Sequence, residues 1–273
     1  MEFETIREQL FLMTTRIVTI SESKKGIATG FFFNYKHKEK NYYFIVTNNH
    51  VIKNKDEVLL TFIKGERMPR LGEEITYVVD QVSRYWYSHP KFDLTILPFN
   101  PILLDSEKRG EPIAFRSFSQ VDIPKEIDLS NLDAIEDIFL IGYPIGLWDS
   151  INLLPIVRKG ITATPISHNF LNEPRFLIDA SVFPGSSGSP IIYFDYDKFT
   201  EKRRIVAEGR ILFHLLGILE KGFVEKGQGI TSIEIPVSVK KGDIKTRINI
   251  GSVIKSSILV ELIEEFMKEH EIL

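Results

Sequence analysis

At 273 residues, with 43% hydrophobic and 26% charged side chains, the chain has the balance of a folded globular protein rather than a disordered one. Its 34 basic and 37 acidic residues leave a formal charge of −3, which supplies no basic field for nucleic acid, and the absence of cysteine excludes disulfides, thiolate metal sites and a cysteine nucleophile. The opening "MEFETIREQL" lacks a basic stretch followed by an apolar core, and no apolar run approaches a membrane span, so a cytoplasmic protein is expected.

From Arg16 to Phe99 the chain is a series of short runs rich in β-branched and aromatic residues: "RIVTI", "GFFFN", "YYFIVT", "EVLLTFI", "ITYVVDQV" and "LTILPF". Each has strand length and composition, and six of them suffice for one small barrel. Residues 106–136 turn charged and Pro-containing without sustained periodicity and read as an interdomain linker. Strand-like runs then resume: "IFLIGYP", "PIVRKGITATPI", "RFLIDASV", "PIIYF", "ILFHLLGIL", "GITSIEIPV" and "RINIGSVI". The expected organisation is a first barrel within 1–105, the linker, and a second barrel within 137–273. In the tail, Ile258, Leu262, Ile263 and Phe266 recur at helical spacing opposite Glu261, Glu264, Glu265 and Lys268. That pattern predicts an amphipathic helix, capped by Ser256 or Ser257 and docked on the second barrel.

Three short stretches carry chemistry. In "YFIVTNNHVI" an apolar strand runs into small polar residues and then His50; in "KFDLTILPF" the carboxylate of Asp93 opens an apolar run; in "FPGSSGSPI" three serines and two glycines crowd a turn between two strands. Taken singly, His50 reads as a strand-ending residue, Asp93 as a turn residue and the serines as cheap turn filling. Taken together, in the order His50, Asp93, Ser187, they form a set that resembles trypsin-like serine peptidases. In particular the set resembles the bacterial ones related to Deg-type and glutamyl-endopeptidase-like enzymes. "GIATGFFFN" resembles the family's glycine-rich first strand, "VTNNHV" its histidine motif, "FDLTIL" its aspartate motif, "IGYPIGL" the opening of its second barrel and "PGSSGSP" its nucleophile motif.

The fold expected from this resemblance is all-β: two six-stranded antiparallel barrels of chymotrypsin type with a C-terminal helix. It implies an acyl-enzyme endopeptidase acting on protein or peptide, without cofactor or metal. A serine hydroxyl is a poor nucleophile near neutral pH, and a histidine, with an unperturbed pKa of about 6.5, suits the removal and return of its proton. Asp93 would fix the imidazole tautomer and stabilise the imidazolium. In the register G-x-S-G-x-P the reactive serine is Ser187, not Ser186 or Ser189. The resemblance places the oxyanion hole on the backbone N–H groups of Gly185 and Ser187.

Ser186 stands where digestive trypsins carry the acid that pairs with a newly cut N-terminus, so activation by N-terminal cleavage is not expected; the resemblance to Deg-type enzymes implies control by ordering of the "FPG" turn and the loop after "GYPIGLWDS". Ser181, six residues before the nucleophile, offers no carboxylate for a basic substrate side chain. With Phe183 and Asn249 as further lining, the expected preference at P1, the residue supplying the attacked carbonyl, is small or medium and uncharged; glutamate is the alternative. The pocket rim is "RINIG" or "SIEIP". The basic run Lys202 to Arg204 reads as solvated, and His89, His168 and His214 as surface or packing residues. Substrate delivery falls to the barrel surface, to Met1–Thr15 or to an activating or substrate-delivering protein. The rival reading is a catalytically silent peptide-binding or regulatory module on the same fold.

Overall fold

A computed structural model describes residues 3–22, 24–66, 68–80, 82–194, 213–226, 229–234 and 247–273. The run Lys202 to Arg204 and parts of the strand-like segments "ILFHLLGIL" and "GITSIEIPV" lie outside them. The described residues form two mostly antiparallel sheets.

The first sheet contains β1 (Thr14–Ser21), β2 (Lys24–His37), β3 (Lys40–Thr47), β4 (Glu57–Lys64), β5 (Glu74–Asp80), β6 (Tyr87–Ser88), β7 (Thr95–Pro98), β8 (Ile113–Ala114) and β9 (Phe118–Ser119). Its order is β5-β4-β1-β2-β3-β7-β6, with β8 added to β4 and β9 to β2. Two stretches of the expected linker 106–136 are therefore strands of this sheet.

The second sheet contains β10 (Asp137–Gly142), β11 (Ile156–Thr162), β12 (Arg175–Asp179), β13 (Pro190–Phe194), β14 (Phe213–Lys226), β15 (Gly229–Glu234) and β16 (Arg247–Lys255). Because β13 pairs with both β10 and β14, six strands close into a ring, β13-β10-β11-β12-β16-β14, and β15 lies outside it on β14. The segment "RINIG" belongs to that ring, beside β12.

Two six-stranded barrels were expected, and one closes. The first sheet ends on β5 and β6, and no ladder joins them among the described residues. Between them the chain winds into a helical turn, Val82–Tyr85. A helical turn spends its backbone groups internally, and the two residues of β6 pair with β7 instead.

Strand alternation divides most of the buried apolar residues among three large cores, beside a small one of Phe3, Leu12, Ile63 and Leu153. In the run Phe31-Phe32-Phe33, Phe32 turns into the first sheet's own core with Ile17, Ile45, Leu60 and Phe99. Phe31 and Phe33 turn the other way, into a core shared by the two sheets with Phe44, Ile96, Ile141, Ile192, Leu215 and Ile254. A third core, with Ile138, Leu140, Phe176, Ile178 and Ile191, fills the barrel. Full burial of each such side chain contributes about 1.5–3 kcal/mol.

The tail forms the expected helix, Ser257–Glu269, and buries Ile258, Leu259, Leu262, Ile263, Phe266 and Met267. Its docking differs from expectation: it packs on the shared core rather than on the barrel alone. Phe266 meets Phe44 edge-on with ring centroids 5.6 Å apart, Tyr87 donates to Glu269 at 2.6 Å, and Tyr35 donates to Glu264 at 3.1 Å. The shared core presents apolar side chains from both sheets, so one helix face covers more apolar surface there. Phe3, Leu10, Leu12 and Met13 of the N-terminal segment are buried as well. Among the described residues no helix is long and apolar enough to cross a membrane.

Candidate active site

His50 lies just past the end of β3, in the helical turn Asn49–Ile52 that Val51 and Ile52 anchor in the core. The first N–H groups of such a turn have no partner within it. Asp93 supplies one: its Oδ1 accepts the backbone N–H of His50 at 2.8 Å, while its Oδ2 lies 2.5 Å from His50 Nδ1. One carboxylate thus holds both the main chain and the ring of His50. The buried Asn48 completes the grip by donating its side-chain N–H to the carbonyl of Asp93 at 2.8 Å.

The turn that presents Asp93 is built around His89. Its Nδ1 accepts the N–H groups of Lys91 (3.0 Å) and Phe92 (3.1 Å), its own N–H donates to the Leu94 carbonyl at 2.9 Å, and its ring packs on Phe92. Burial lowers the His89 pKa, which favours the neutral, accepting form. His89 had been expected only to pack or to face solvent. In the structure it shapes the turn that carries Asp93.

Ser187 is buried in the turn between β12 and β13, and its Oγ lies 3.0 Å from His50 Nε2. The turn takes its shape from two glycines. Gly188 has φ +80°, and a Cβ there would sit 2.2 Å from the Thr29 carbonyl oxygen; Gly185 has φ +87°, and a Cβ there would sit 2.3 Å from the Tyr143 carbonyl oxygen. No other residue type fits either place. Main-chain bonds then fasten the turn on two sides: Gly188 donates to Leu219 at 3.1 Å, and Thr29 on β2 donates to the Ser187 carbonyl at 3.0 Å.

Thr29 does more than its backbone bond. Its hydroxyl donates to the Gly185 carbonyl at 2.9 Å and accepts the Tyr143 N–H at 3.2 Å, and its carbonyl accepts from the Thr47 hydroxyl at 2.8 Å. One residue of the first sheet thereby ties the Ser187 turn to the "GYPIG" turn after β10. That second turn also holds the Pro184 carbonyl, through the Ile145 N–H at 2.5 Å. In a trans peptide the carbonyl and the following N–H point in opposite directions. The Gly185 N–H is therefore turned away from Ile145, and among the described residues it donates to no protein acceptor.

A carboxylate, an imidazole and a hydroxyl in one hydrogen-bonded run, the hydroxyl on a turn whose Gly185 N–H has no acceptor among the described residues, are thus assembled from three separate stretches of chain. A family model described as a trypsin-like peptidase domain matches residues 28–198, more than half of the chain and the whole of this assembly. The chain belongs to that family. No curated protein matches this trypsin-like peptidase chain. Among solved structures it is similar to the Rv3671c protease of M. tuberculosis in its active form, at 13% identity and TM-score 0.42, over 93% of this chain and 80% of that one. It is also similar to the scabies mite inactivated protease paralogue S-I1, at 12% identity and TM-score 0.47, over 95% and 96% of the two chains. A third is a catalytically inactive tobacco etch virus protease complexed with substrate, at 12% identity and TM-score 0.45, over 90% and 78%.

In this peptidase-family chain the other residues singled out by sequence lie as follows. Ser181 is half-buried and its carbonyl accepts from the Arg158 guanidinium. Phe183 is half-buried and its carbonyl accepts the Ser186 N–H at 3.0 Å. Asn249 is exposed on β16, with its carbonyl bound to the N–H of Ala180, next to Ser181 in the chain. The Ser186 hydroxyl accepts from Arg158 at 2.9 Å. Among the described residues no three His, Asp or Glu side chains gather as a metal site.

Sequence reasoning passed over Asn48, Thr29 and Arg158, and gave His89 only a surface or packing role. The first two sit inside motifs it did quote, "VTNNHV" and "GIATGFFFN". Arg158 had no local signal beyond being a charge in a strand.

Proposed function

We propose that the chain is a serine endopeptidase of the kind found among Deg-type and glutamyl-endopeptidase-like bacterial enzymes. The observation that carries this reading is the continuous run from Asp93 through His50 to Ser187, with separations of 2.5 and 3.0 Å. Ser187 Oγ attacks a peptide carbonyl as His50 Nε2 takes its proton. The negative charge of Asp93 favours the imidazolium that results. The oxyanion is held by the N–H groups of Gly185 and Ser187. His50 then returns the proton to the leaving amine, and water repeats the sequence on the acyl-enzyme.

Intact-mass analysis after treatment with a broad fluorophosphonate tests the reading. One adduct on the wild type and on Ser186→Ala, absent from Ser187→Ala, is the expected result. A folded wild-type protein that takes no adduct and cleaves no peptide would sink it in favour of a silent binding module.

A further inference from the structure

Arg175 opens β12, and the strand alternates from there: Phe176 and Ile178 enter the barrel core, so Arg175 stands on the opposite face. Across the ladder it meets Ile254 on β16, a member of the core shared by the two sheets. Residues opposite one another on antiparallel strands share a face. Arg175 is therefore a cation turned toward the first sheet. Its Nε and Nη2 donate to the two carboxylate oxygens of Glu220 on β14 at 2.8 and 3.0 Å, and Nη1 pairs with Glu173.

The Glu220 side chain is 1% exposed and that of Arg175 13%. An irregularity in β14 aims the carboxylate: between Leu219, paired with Val253, and Lys221, paired with Ser252, Glu220 is an extra residue. A β-bulge of this kind redirects one side chain. Leu219, just before it, fastens the Ser187 turn by accepting from Gly188 at 3.1 Å and donating to the Ser189 carbonyl at 3.0 Å. At the other end of the pair, the Arg175 guanidinium lies over the ring of Phe92, 5.1 Å from its centre. Phe92 precedes Asp93, and both its main-chain groups are built into the turn that presents that carboxylate. Its N–H donates to His89 Nδ1 at 3.1 Å, and its carbonyl accepts from Leu94 at 2.8 Å.

A connection thus runs from the Ser187 turn through Leu219, Glu220, Arg175 and Phe92 to Asp93. A guanidinium held by two parallel bonds has a fixed plane, and a ring resting on that plane is fixed with it. A buried ion pair adds little net stability over an apolar substitute, so its place in the fold is what calls for a role. Asp93 has no slack to absorb a displaced turn, because its two oxygens hold the main chain and the ring of His50. We propose that Arg175 is a positioning residue for Asp93, acting through Phe92 to hold the aspartate turn of the first sheet in place against the serine turn of the barrel. The inference rests on the peptidase reading and adds to it a residue of the second sheet that aims the base.

The test reads fluorophosphonate labelling rates across pH, with thermal unfolding in parallel. Arg175→Lys keeps a charge for Glu220 and loses the flat guanidinium; Phe92→Leu removes the ring and leaves the Arg175–Glu220 pair in place. Each is expected to slow labelling by roughly 10- to 100-fold, the scale on which a displacement of about 1 Å acts. Each also moves the pH midpoint of labelling downward, because an Asp93 carboxylate farther from the ring favours the imidazolium less. Phe92→Tyr, which keeps a ring, labels as the wild type does, and the double variant Arg175→Lys with Phe92→Leu is no slower than either alone. Wild-type labelling in Phe92→Leu overturns the inference. So do slower rates with an unmoved midpoint, or effects that multiply in the double variant; Arg175 is then a brace of the barrel alone. If Arg175→Lys does not fold, Phe92→Leu and Phe92→Tyr decide. A wild type that takes no adduct and cleaves no peptide fails the peptidase reading, and this inference falls with it.

Discussion

The first sheet grips His50 and Asp93 with side chains; the barrel grips Ser187 with main chain. Around the imidazole, Asn48, Asp93 and His89 each spend a side-chain atom on a backbone group nearby. Around the serine, the turn is held by glycine geometry and by backbone bonds to Leu219 and Thr29. The side chains that do reach it, from Thr29 and Arg158, come from strands remote in sequence. The difference follows from what each region presents. In the proposed mechanism the base is aimed by its ring nitrogens, which calls for side-chain partners. In the same mechanism the oxyanion is held by N–H groups, which calls for a main chain free of side-chain obstruction. The side-chain half is therefore expected to tolerate backbone neighbours and to be sensitive to single polar atoms, and the main-chain half the reverse.

The largest effect expected from this contrast is at Asp93. Asp93→Asn keeps an oxygen for the His50 backbone N–H but removes the charge and presents an amide to the ring. The fluorophosphonate labelling rate is expected to fall by about 10⁴-fold. Thermal unfolding should change little, and a labelling rate within tenfold of wild type would break the assignment of Asp93 as orienter.

Thr29→Val is next. It is nearly isosteric, but it leaves the Gly185 carbonyl and the Tyr143 N–H buried without their hydroxyl partner. A cost of about 1–3 kcal/mol in stability is expected, with slower labelling. Denaturant melts and labelling rates that match wild type would mean that the nucleophile turn supports itself without the first sheet.

The smallest effect concerns pH. Burial depresses the folded-state pKa of His89 below its unfolded value of about 6.5, against weaker opposing influences from Glu265 and Glu261 and a reinforcing one from Lys91. The unfolded chain then takes up the proton first. The contribution of neutral His89 is complete above the unfolded pKa and is lost as pH falls through about 6.5 toward the lower folded value. His89→Phe keeps a ring against Phe92 and removes the titration. Urea midpoints between pH 5 and 8 should therefore slope less steeply for the variant; equal slopes would show that His89 does not titrate across folding.

The three stretches that carry His50, Asp93 and Ser187, the glycine-rich turn at 185 and 188, and a mostly β chain with a C-terminal helix were legible in the sequence; the closure of both barrels was expected too, and only one closes. The strands, the helix and the glycine turn depend on information within a short window, whereas the set of His50, Asp93 and Ser187 rests on the family resemblance. A strand announces itself by alternation, a helix by a 3.6-residue period, and a turn with positive φ by glycine. The opening of the first sheet was not legible, because nothing in "VVDQVSRYWY" distinguishes a closing strand from the helical turn Val82–Tyr85 until β6 has a choice of partners. Nor was the docking of the last helix. Its apolar face is explicit in Ile258, Leu262 and Phe266, but which surface it covers depends on where the residues paired with it in the shared core end up.

By itself, then, the sequence determined which side chains have the chemistry and where the main chain must bend. Only the tertiary structure decided what those side chains face. Thr29 and Arg158 are an ordinary threonine and an ordinary arginine in their strands. Strand pairing carries one to the carbonyl of Gly185 and turns the other inward beneath Ser186. Contacts between residues more than a hundred positions apart, as between Thr29 and Gly185, leave no trace in local periodicity. They follow from sheet register, which is settled by the whole set of pairings at once.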